Sequence, residues 1–212
     1  MLIKNLNFIS YYSYCSSKEQ SLTDNIKLSK NFMIAVKKEK TWGNPPIFTS
    51  KKIAGDVKLN LEVFFDEETA LVPIPSSSLM NQNTLWVPQK IAQELENKKL
   101  GYYYSCLKRK IAVEKSAYSS PENRPKAKKH FETISFIPQI KQPKKIVLVD
   151  DIITRGATML GCASILKQKF PDVTIIGFAA IRTISKKEDF KNMVDLCKGL
   201  ITIDGEDTYR TP

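Results

Sequence analysis

The chain has 212 residues, 42% of them hydrophobic, enough to bury a full core in one domain with at most a small appended lobe. Its net charge of +11, from 33 Lys and Arg against 22 Asp and Glu, points to polyanionic partners without saying which. No stretch approaches the ~18 uninterrupted apolar residues of a membrane span, and the first residues lack the apolar run of a signal peptide, so a cytoplasmic location is expected. The four cysteines, Cys15, Cys106, Cys162 and Cys197, lie too far apart for a zinc ribbon or a redox pair and are expected to be reduced and mostly buried.

Residues 1–68 are the least legible. Tyr11-Tyr12-Ser13-Tyr14 reads as strand, residues 26–38 as a helix with Leu28, Phe32 and Ala35 or Val36 inward, and Trp42-Gly43-Asn44-Pro45-Pro46 as a loop. After residue 68, strand and helix alternate, the pattern of an α/β parallel sheet covered on both faces. Residues 69–74 form a first strand and 88–98 a helix carrying Ile91 and Leu95 inward, which Gly101 stops. Residues 102–107 read as a second strand, 145–149 as a third, and 157–169 as a helix with Met159, Ala163, Leu166 and Phe170 along its core stripe, ended by Pro171. Residues 173–181 read as strand, 187–196 as helix and 199–203 as a last short strand.

The long polar stretch at about 108–141 holds the basic clusters Lys108-Arg109-Lys110 and Lys126-Ala127-Lys128-Lys129-His130. A loop of this length inside a compact domain is either a solvated surface segment or a functional lid, and both readings stand. His130, the one histidine, reads as a surface or capping residue more than as a general base.

The run Ile146-Val147-Leu148-Val149-Asp150-Asp151-Ile152-Ile153-Thr154-Arg155-Gly156-Ala157-Thr158 carries the chemistry. A buried strand delivers Asp150 and Asp151 at its carboxyl end, where ligands bind in open α/β sheets, and the next residues open a helix whose unpaired N–H groups attract phosphate. Two adjacent carboxylates suit two neighbouring ribose hydroxyls. Thr154, Arg155, Gly156, Ala157 and Thr158 offer consecutive backbone N–H groups and two hydroxyls to a terminal phosphate, with Gly156 letting the backbone come close. Arg155 either adds charge to that phosphate site or points to solvent. Upstream, Leu71-Val72-Pro73-Ile74-Pro75 runs into Ser76, Ser77 and Ser78, a tight turn of small hydroxylated residues that can also meet an anion.

These segments resemble the phosphoribosyl pyrophosphate (PRPP) site of type I phosphoribosyltransferases, over about residues 70–182, and within that superfamily the ComF-like (amidophosphoribosyltransferase-like) branch. The resemblance implies a type I phosphoribosyltransferase-like parallel sheet flanked by helices. Residues 1–68 would be a small N-terminal hood or extension and 69–212 the core, with a flexible loop at about 108–141. It implies that Asp150 and Asp151 are the catalytic pair, holding the ribose hydroxyls and organising Mg²⁺ indirectly through ribose or water. Thr154, Arg155, Gly156, Ala157 and Thr158 would cradle the 5-phosphate, and Ser76, Ser77, Ser78, Lys115 and Arg124 would meet the pyrophosphate. The implied activity is pentosyl transfer, a glycosyltransferase reaction of nucleotide metabolism, from PRPP to a nitrogenous base or amine with release of pyrophosphate.

Two features depart from the ComF-like pattern: the residues after the first strand, Asn81-Gln82-Asn83 among them, contain no arginine, and a four-cysteine zinc ribbon is missing. The alternatives are a non-catalytic PRPP- or nucleotide-binding regulator and a ComF-like nucleic-acid-binding factor favoured by the basic charge. Expected partners are PRPP and an unidentified nitrogenous acceptor, with no membrane; nucleic acid and a second copy of the chain, as a homodimer, stay open.

Overall fold

Apolar runs of five to nine residues with little polar interruption can be satisfied only by strands buried on both faces, and three such runs set the architecture here. The computed structural model describes residues 1–17, 22–81, 83–114 and 124–212. In chain order the elements are β1 (Asn5–Cys15), α1 (Asp24–Lys37), β2 (Thr41–Trp42), β3 (Ile47–Phe48), α2 (Thr49–Asn60), β4 (Thr69–Pro73), α3 (Val87–Asn97), β5 (Tyr102–Tyr103), β6 (Leu107–Arg109), α4 (Ala127–Thr133), β7 (Ile134–Phe136), β8 (Lys145–Ile153), α5 (Ala157–Lys169), β9 (Thr174–Ile184), β10 (Val194–Asp204) and β11 (Asp207–Thr211).

A seven-stranded sheet runs in the order β11-β10-β1-β9-β8-β4-β5. Its pairs from β1 through β9, β8 and β4 to β5 are parallel, whereas β10 is antiparallel to β1 and β11 to β10. The strand period of two sorts the side chains. Ala70, Val72, Ile146, Leu148 and Ala179 face one layer with Met159, Leu160, Ala163 and Leu166 of α5. Leu71, Val147, Val149, Phe178 and Ala180 face the other, against Phe32 and Val36 of α1, Ile53 and Val57 of α2, and Ile91 and Leu95 of α3. The chain is therefore a mixed α/β protein whose mostly parallel sheet is flanked by helices, as its alternating pattern requires. Among the described residues no helix is long and apolar enough to cross a membrane. All four cysteines are free and buried.

Several elements differ from the sequence reading. Residues 187–196, expected as a helix, instead run through a turn closed by Phe190 N–H to the Lys187 carbonyl, 3.2 Å, and irregular chain, and Val194 onward forms β10, held by β1 through the register Ser10↔Cys197 and by a bond from Ser13 N–H to the Met193 carbonyl, 2.8 Å. The apolar spacing of Phe190, Met193 and Cys197 mimics a helical stripe, but pairing with a buried neighbour decides the conformation. The strand expected over 102–107 is split: Tyr102 and Tyr103 stay in the main sheet, while Leu107–Arg109 pairs antiparallel with Ile134–Phe136 in a separate ribbon. That ribbon and α4 occupy part of the stretch expected as a loop at 108–141; residues 115–123 lie outside the described residues. The first segment is not confined to a hood, because β1 is hydrogen-bonded between β9 and β10 inside the main sheet. Leu28 of α1, expected inward, is 45% exposed, and Ile26, Ser29, Phe32, Ala35 and Val36 are the buried positions.

Helix α5 is buried from Met159 through Leu166 on all sides, more than its predicted stripe, because α4 covers the face turned away from the sheet. Contact is close at Gly161, where an added Cβ would lie 2.9 Å from both the Ala127 carbonyl oxygen and His130 Cβ. In an exposed helix Gly→Ala stabilises by about 1 kcal/mol. Here Gly161→Ala is expected to destabilise instead, by about 1–3 kcal/mol as α4 is pushed off α5, and urea unfolding of the variant checks the sign.

Candidate functional site

Strand β4 leaves the sheet early. Its register with β8 ends at Pro73↔Val149, and Ile74 N–H makes one more bond, 2.9 Å, to the Val149 carbonyl. From Asp150 onward β8 continues against β9 alone, with Asp150↔Ala179, Ile152↔Ile181 and Ile153↔Arg182. The carboxyl ends of these two adjacent parallel strands are thus bordered by the turn of Ser76, Ser77 and Ser78 on the β4 side and by the acids on the β8 side. This is the place where open α/β sheets take ligands.

Asp150 and Asp151 are half-buried. Asp150 Oδ1 accepts from the Asp151 N–H at 2.9 Å, and Asp151 Oδ1 from the Ile152 N–H at 2.8 Å, so each carboxylate is oriented by the backbone that follows it. Burial, and then the neighbouring Asp151 charge, push the Asp150 carboxyl well above the usual carboxylate range. Such a like-charged pair is electrostatically unsatisfied and favours hydroxyl donors or a cation beside it.

Gly156 begins α5 from the left-handed region, φ +84°, and caps it with no side-chain hydrogen bond, so the first-turn N–H groups keep no side-chain acceptor. The glycine is required for two reasons, the positive φ and a near neighbour: an added Cβ would lie 2.7 Å from Ile201 Cδ1 of β10. On its Cβ side Gly156 therefore packs directly against Ile201.

Arg155 is partly exposed and turns toward β11. Its Nη1 lies 2.8 Å from Asp207 Oδ1, an ion pair with β11. From the same strand, Arg210 Nε donates to the Thr154 carbonyl at 2.8 Å and its Nη2 to the Thr183 carbonyl at 2.6 Å. The β10–β11 hairpin therefore buttresses residues 154–156. Sequence reasoning missed it, although Asp204-Gly205 is a hairpin signal.

On the other side of α5, Thr158 Oγ1 lies 3.2 Å from His130 Nε2, and His130 Nδ1 lies 3.3 Å from Arg109 Nη2. Arg109 Nε donates to the Ser76 carbonyl at 2.9 Å and Nη1 to Thr133 Oγ1 at 2.7 Å. His130, expected at the surface, is 3% exposed, and Arg109 is 4% exposed. Burial and the Arg109 charge lower the His130 pKa to about 3. The signal available in the sequence was Gly161 inside a helix, which marks the close approach of another segment.

Of the remaining predicted residues, Ser78 N–H donates to Ser76 Oγ at 3.3 Å, and the Ser77 carbonyl accepts from Val113 N–H at 2.9 Å. Arg124 lines a different cavity of about 350 Å³ with Lys126, Lys128, Lys129, Glu132 and Glu206. Lys115 lies outside the described residues. A larger concavity of about 510 Å³ beside Phe8, Phe64 and Lys198 contains none of the predicted site residues.

No protein-family model matches the chain, and no curated protein does. Solved structures that match part of the chain include a hypoxanthine phosphoribosyltransferase from Staphylococcus aureus in two crystal forms. The tetragonal form is 9% identical, with 69% of this chain and 78% of that chain covered and a TM-score of 0.37. The orthorhombic form is 12% identical, with 68% and 70% covered and a TM-score of 0.33.

Two outcomes follow from this geometry. Gly156→Val, with its strained φ and its overlap on Ile201, is expected to lose about 2–4 kcal/mol of stability, a global effect rather than a local loss of binding; thermal unfolding without ligand measures it. His130 binds its proton more weakly folded, about 3, than unfolded, about 6.5, so the unfolded chain is the better proton acceptor between those values and stability falls as pH drops through that window. Asp150, shifted upward, has the opposite sign. The stability difference between wild type and His130→Phe should therefore change against wild type by about 1.4 kcal/mol per pH unit below pH 6, as read from urea unfolding at pH 7, 6, 5 and 4.

Proposed function

We propose that this protein binds PRPP across the crevice at the ends of β4 and β8 and transfers its phosphoribosyl group to a nitrogen acceptor, a base or an amine, with release of pyrophosphate. The observation that carries this reading is the convergence of an acidic pair, an uncapped helix start and a serine turn on the carboxyl ends of neighbouring parallel strands. Each part has a task. Asp150 and Asp151, oriented by their backbone bonds, accept hydrogen bonds from the two ribose hydroxyls. The first turn of α5 meets the 5-phosphate with its N–H groups and the Thr158 hydroxyl. Ser76, Ser77 and Ser78 meet the pyrophosphate from the facing side of the crevice.

Held at both ends in this way, the ribose presents C1 between its leaving group and an incoming nitrogen, and most of the rate advantage comes from position and charge rather than from proton transfer. The residues also fit Mg²⁺. That ion is commonly held by one or two carboxylates together with substrate oxygens, and not by a protein cage. Among the described residues no group of three or more His, Cys, Asp or Glu is gathered, while the Asp150–Asp151 pair supplies two carboxylates of which Asp150 is held above its usual range by burial and by Asp151, against only a smaller opposing effect of Lys37. Mg²⁺ bound there would disperse charge on the departing pyrophosphate.

Asp150→Asn and Asp151→Asn are each expected to weaken PRPP binding roughly ten- to a hundredfold, the loss of one charge-assisted hydrogen bond, with the fold retained. Calorimetric titration with PRPP and Mg²⁺ measures the affinity, and pyrophosphate release over a panel of purine and pyrimidine bases and amines measures transfer. Wild-type affinity in both variants overturns the ribose assignment. Tight PRPP binding with no release for any acceptor favours the regulatory reading over the enzymatic one.

A further inference from the structure

A buried arginine normally has a carboxylate beside it, because an unpaired charge away from water is costly. Arg109 is 4% exposed, yet among the described residues its hydrogen-bond partners are the Ser76 carbonyl, the Thr133 hydroxyl and the His130 imidazole, all uncharged. A guanidinium only donates, so His130 Nδ1 must accept from Arg109. A neutral ring then carries its proton on Nε2 and donates it to Thr158 Oγ1, leaving the Thr158 hydroxyl hydrogen free to point elsewhere. The chain of contacts is continuous, from the Ser76 carbonyl through Arg109 and His130 to Thr158 in the first turn of α5.

We propose that Arg109 and His130 are positioning residues that couple the two loops of the crevice, so that the turn at residues 76–78 and the loop at residues 154–158 bind their anions as one unit. This rests on the reading that each loop holds an anion. At one end, the charge-assisted bond from Arg109 polarises the Ser76 peptide, and the N–H of that same peptide unit belongs to Ser77, which becomes a stronger donor. At the other end, the bond from His130 fixes the rotor of Thr158 and reserves its hydrogen for a phosphate oxygen. Among the described residues no carboxylate pairs with Arg109, and its positive charge in a low-dielectric position behind the serine turn attracts an anion more strongly than a solvated lysine would. The relay holds one hydrogen-bonding pattern and moves no proton. With the His130 pKa lowered to about 3 by burial and by Arg109, the ring stays neutral across the physiological range.

The relay predicts an effect across the crevice, which a purely local role for either residue does not. Ribose 5-phosphate and pyrophosphate are titrated separately by calorimetry in buffer containing MgCl₂, each against wild type, Thr158→Val, His130→Phe and His130→Gln. Thr158→Val should weaken ribose 5-phosphate about tenfold and, although it lies on the opposite loop, pyrophosphate about threefold or more. His130→Phe keeps the ring and removes both hydrogen bonds, and should weaken both ligands. His130→Gln keeps an acceptor toward Arg109 and a donor toward Thr158, and should remain within about threefold of wild type for both. Should His130→Phe fail to fold, Thr158→Val decides. Unchanged pyrophosphate affinity in Thr158→Val overturns the relay while leaving the two anion sites intact. Failure of wild type to bind either anion overturns the reading of the loops themselves, and the relay with it.

Discussion

The architecture of the crevice depends on one mismatch of length. Strand β8 runs four residues past the last position at which β4 accompanies it, and the extra length is hydrogen-bonded on its β9 side only. A parallel strand buried on both faces can extend beyond its neighbour only where something other than a strand satisfies its free backbone groups. Asp150 and Asp151 do part of that work, each accepting from the next residue's N–H. The same two carboxylates that stand ready for a ligand thus also stabilise the strand end that presents them. Burying a like-charged pair is unfavourable by itself, and the strain appears as the raised Asp150 pKa, the kind of perturbation that gathers where a fold is arranged for chemistry.

Around that strand end the loop at residues 154–158 is held from two sides by parts of the chain far away in sequence. On one side Ile201, Asp207 and Arg210 of the β10–β11 hairpin fill the space beside Gly156, pair with Arg155 and bind the Thr154 carbonyl. On the other side His130 of α4 reaches Thr158. Loops that must meet a ligand in one geometry are more precise when their supports are regular elements. Here both supports are themselves hydrogen-bonded or closely packed to the core. Arg155, which stands where a phosphate loop can use a small hydroxylated residue, has its charge neutralised by Asp207 and contributes rigidity rather than net positive potential.

How much of this could be read from the residues depends on whether the determinant was local. Strands β4, β8 and β9 were legible because their apolar runs leave no solvent face, and α5 because Gly156 and Pro171 bracket it. The acid pair and the serine turn stood out because each directly follows such an apolar run, although the acids prove to lie within β8 itself. What was missed is set by distant partners. Residues 187–196 carry apolar residues at helical spacing, and pairing with β1 overrides them. His130 sits in a basic run that looks solvated until α4 is seated on α5 at Gly161. Arg109 reads as one more surface lysine-like charge between Lys108 and Lys110, but strand alternation in the β6–β7 ribbon turns it inward while Lys108 stays exposed. In this way an arginine that the sequence lacks just after β4 reaches the turn at Ser76 from another element.

The position of β1 also has a consequence for how the chain reaches this state. Phe8 pairs with Gly177 and Leu6 with Ile201, so the first strand takes an interior place in the sheet only after partners far along the chain have been made. At about 5–20 residues per second, an apolar segment containing Phe8, Ile9 and Tyr12 waits roughly ten to forty seconds on the ribosome for its neighbours. During that interval it has two unpaired edges and two water-averse faces, the condition under which strands find wrong partners. Late closure of this kind favours a slow final folding step dominated by contacts distant in sequence. It also makes the amino-terminal strand, although far from the crevice in sequence, a point at which a chaperone has the longest opportunity to act.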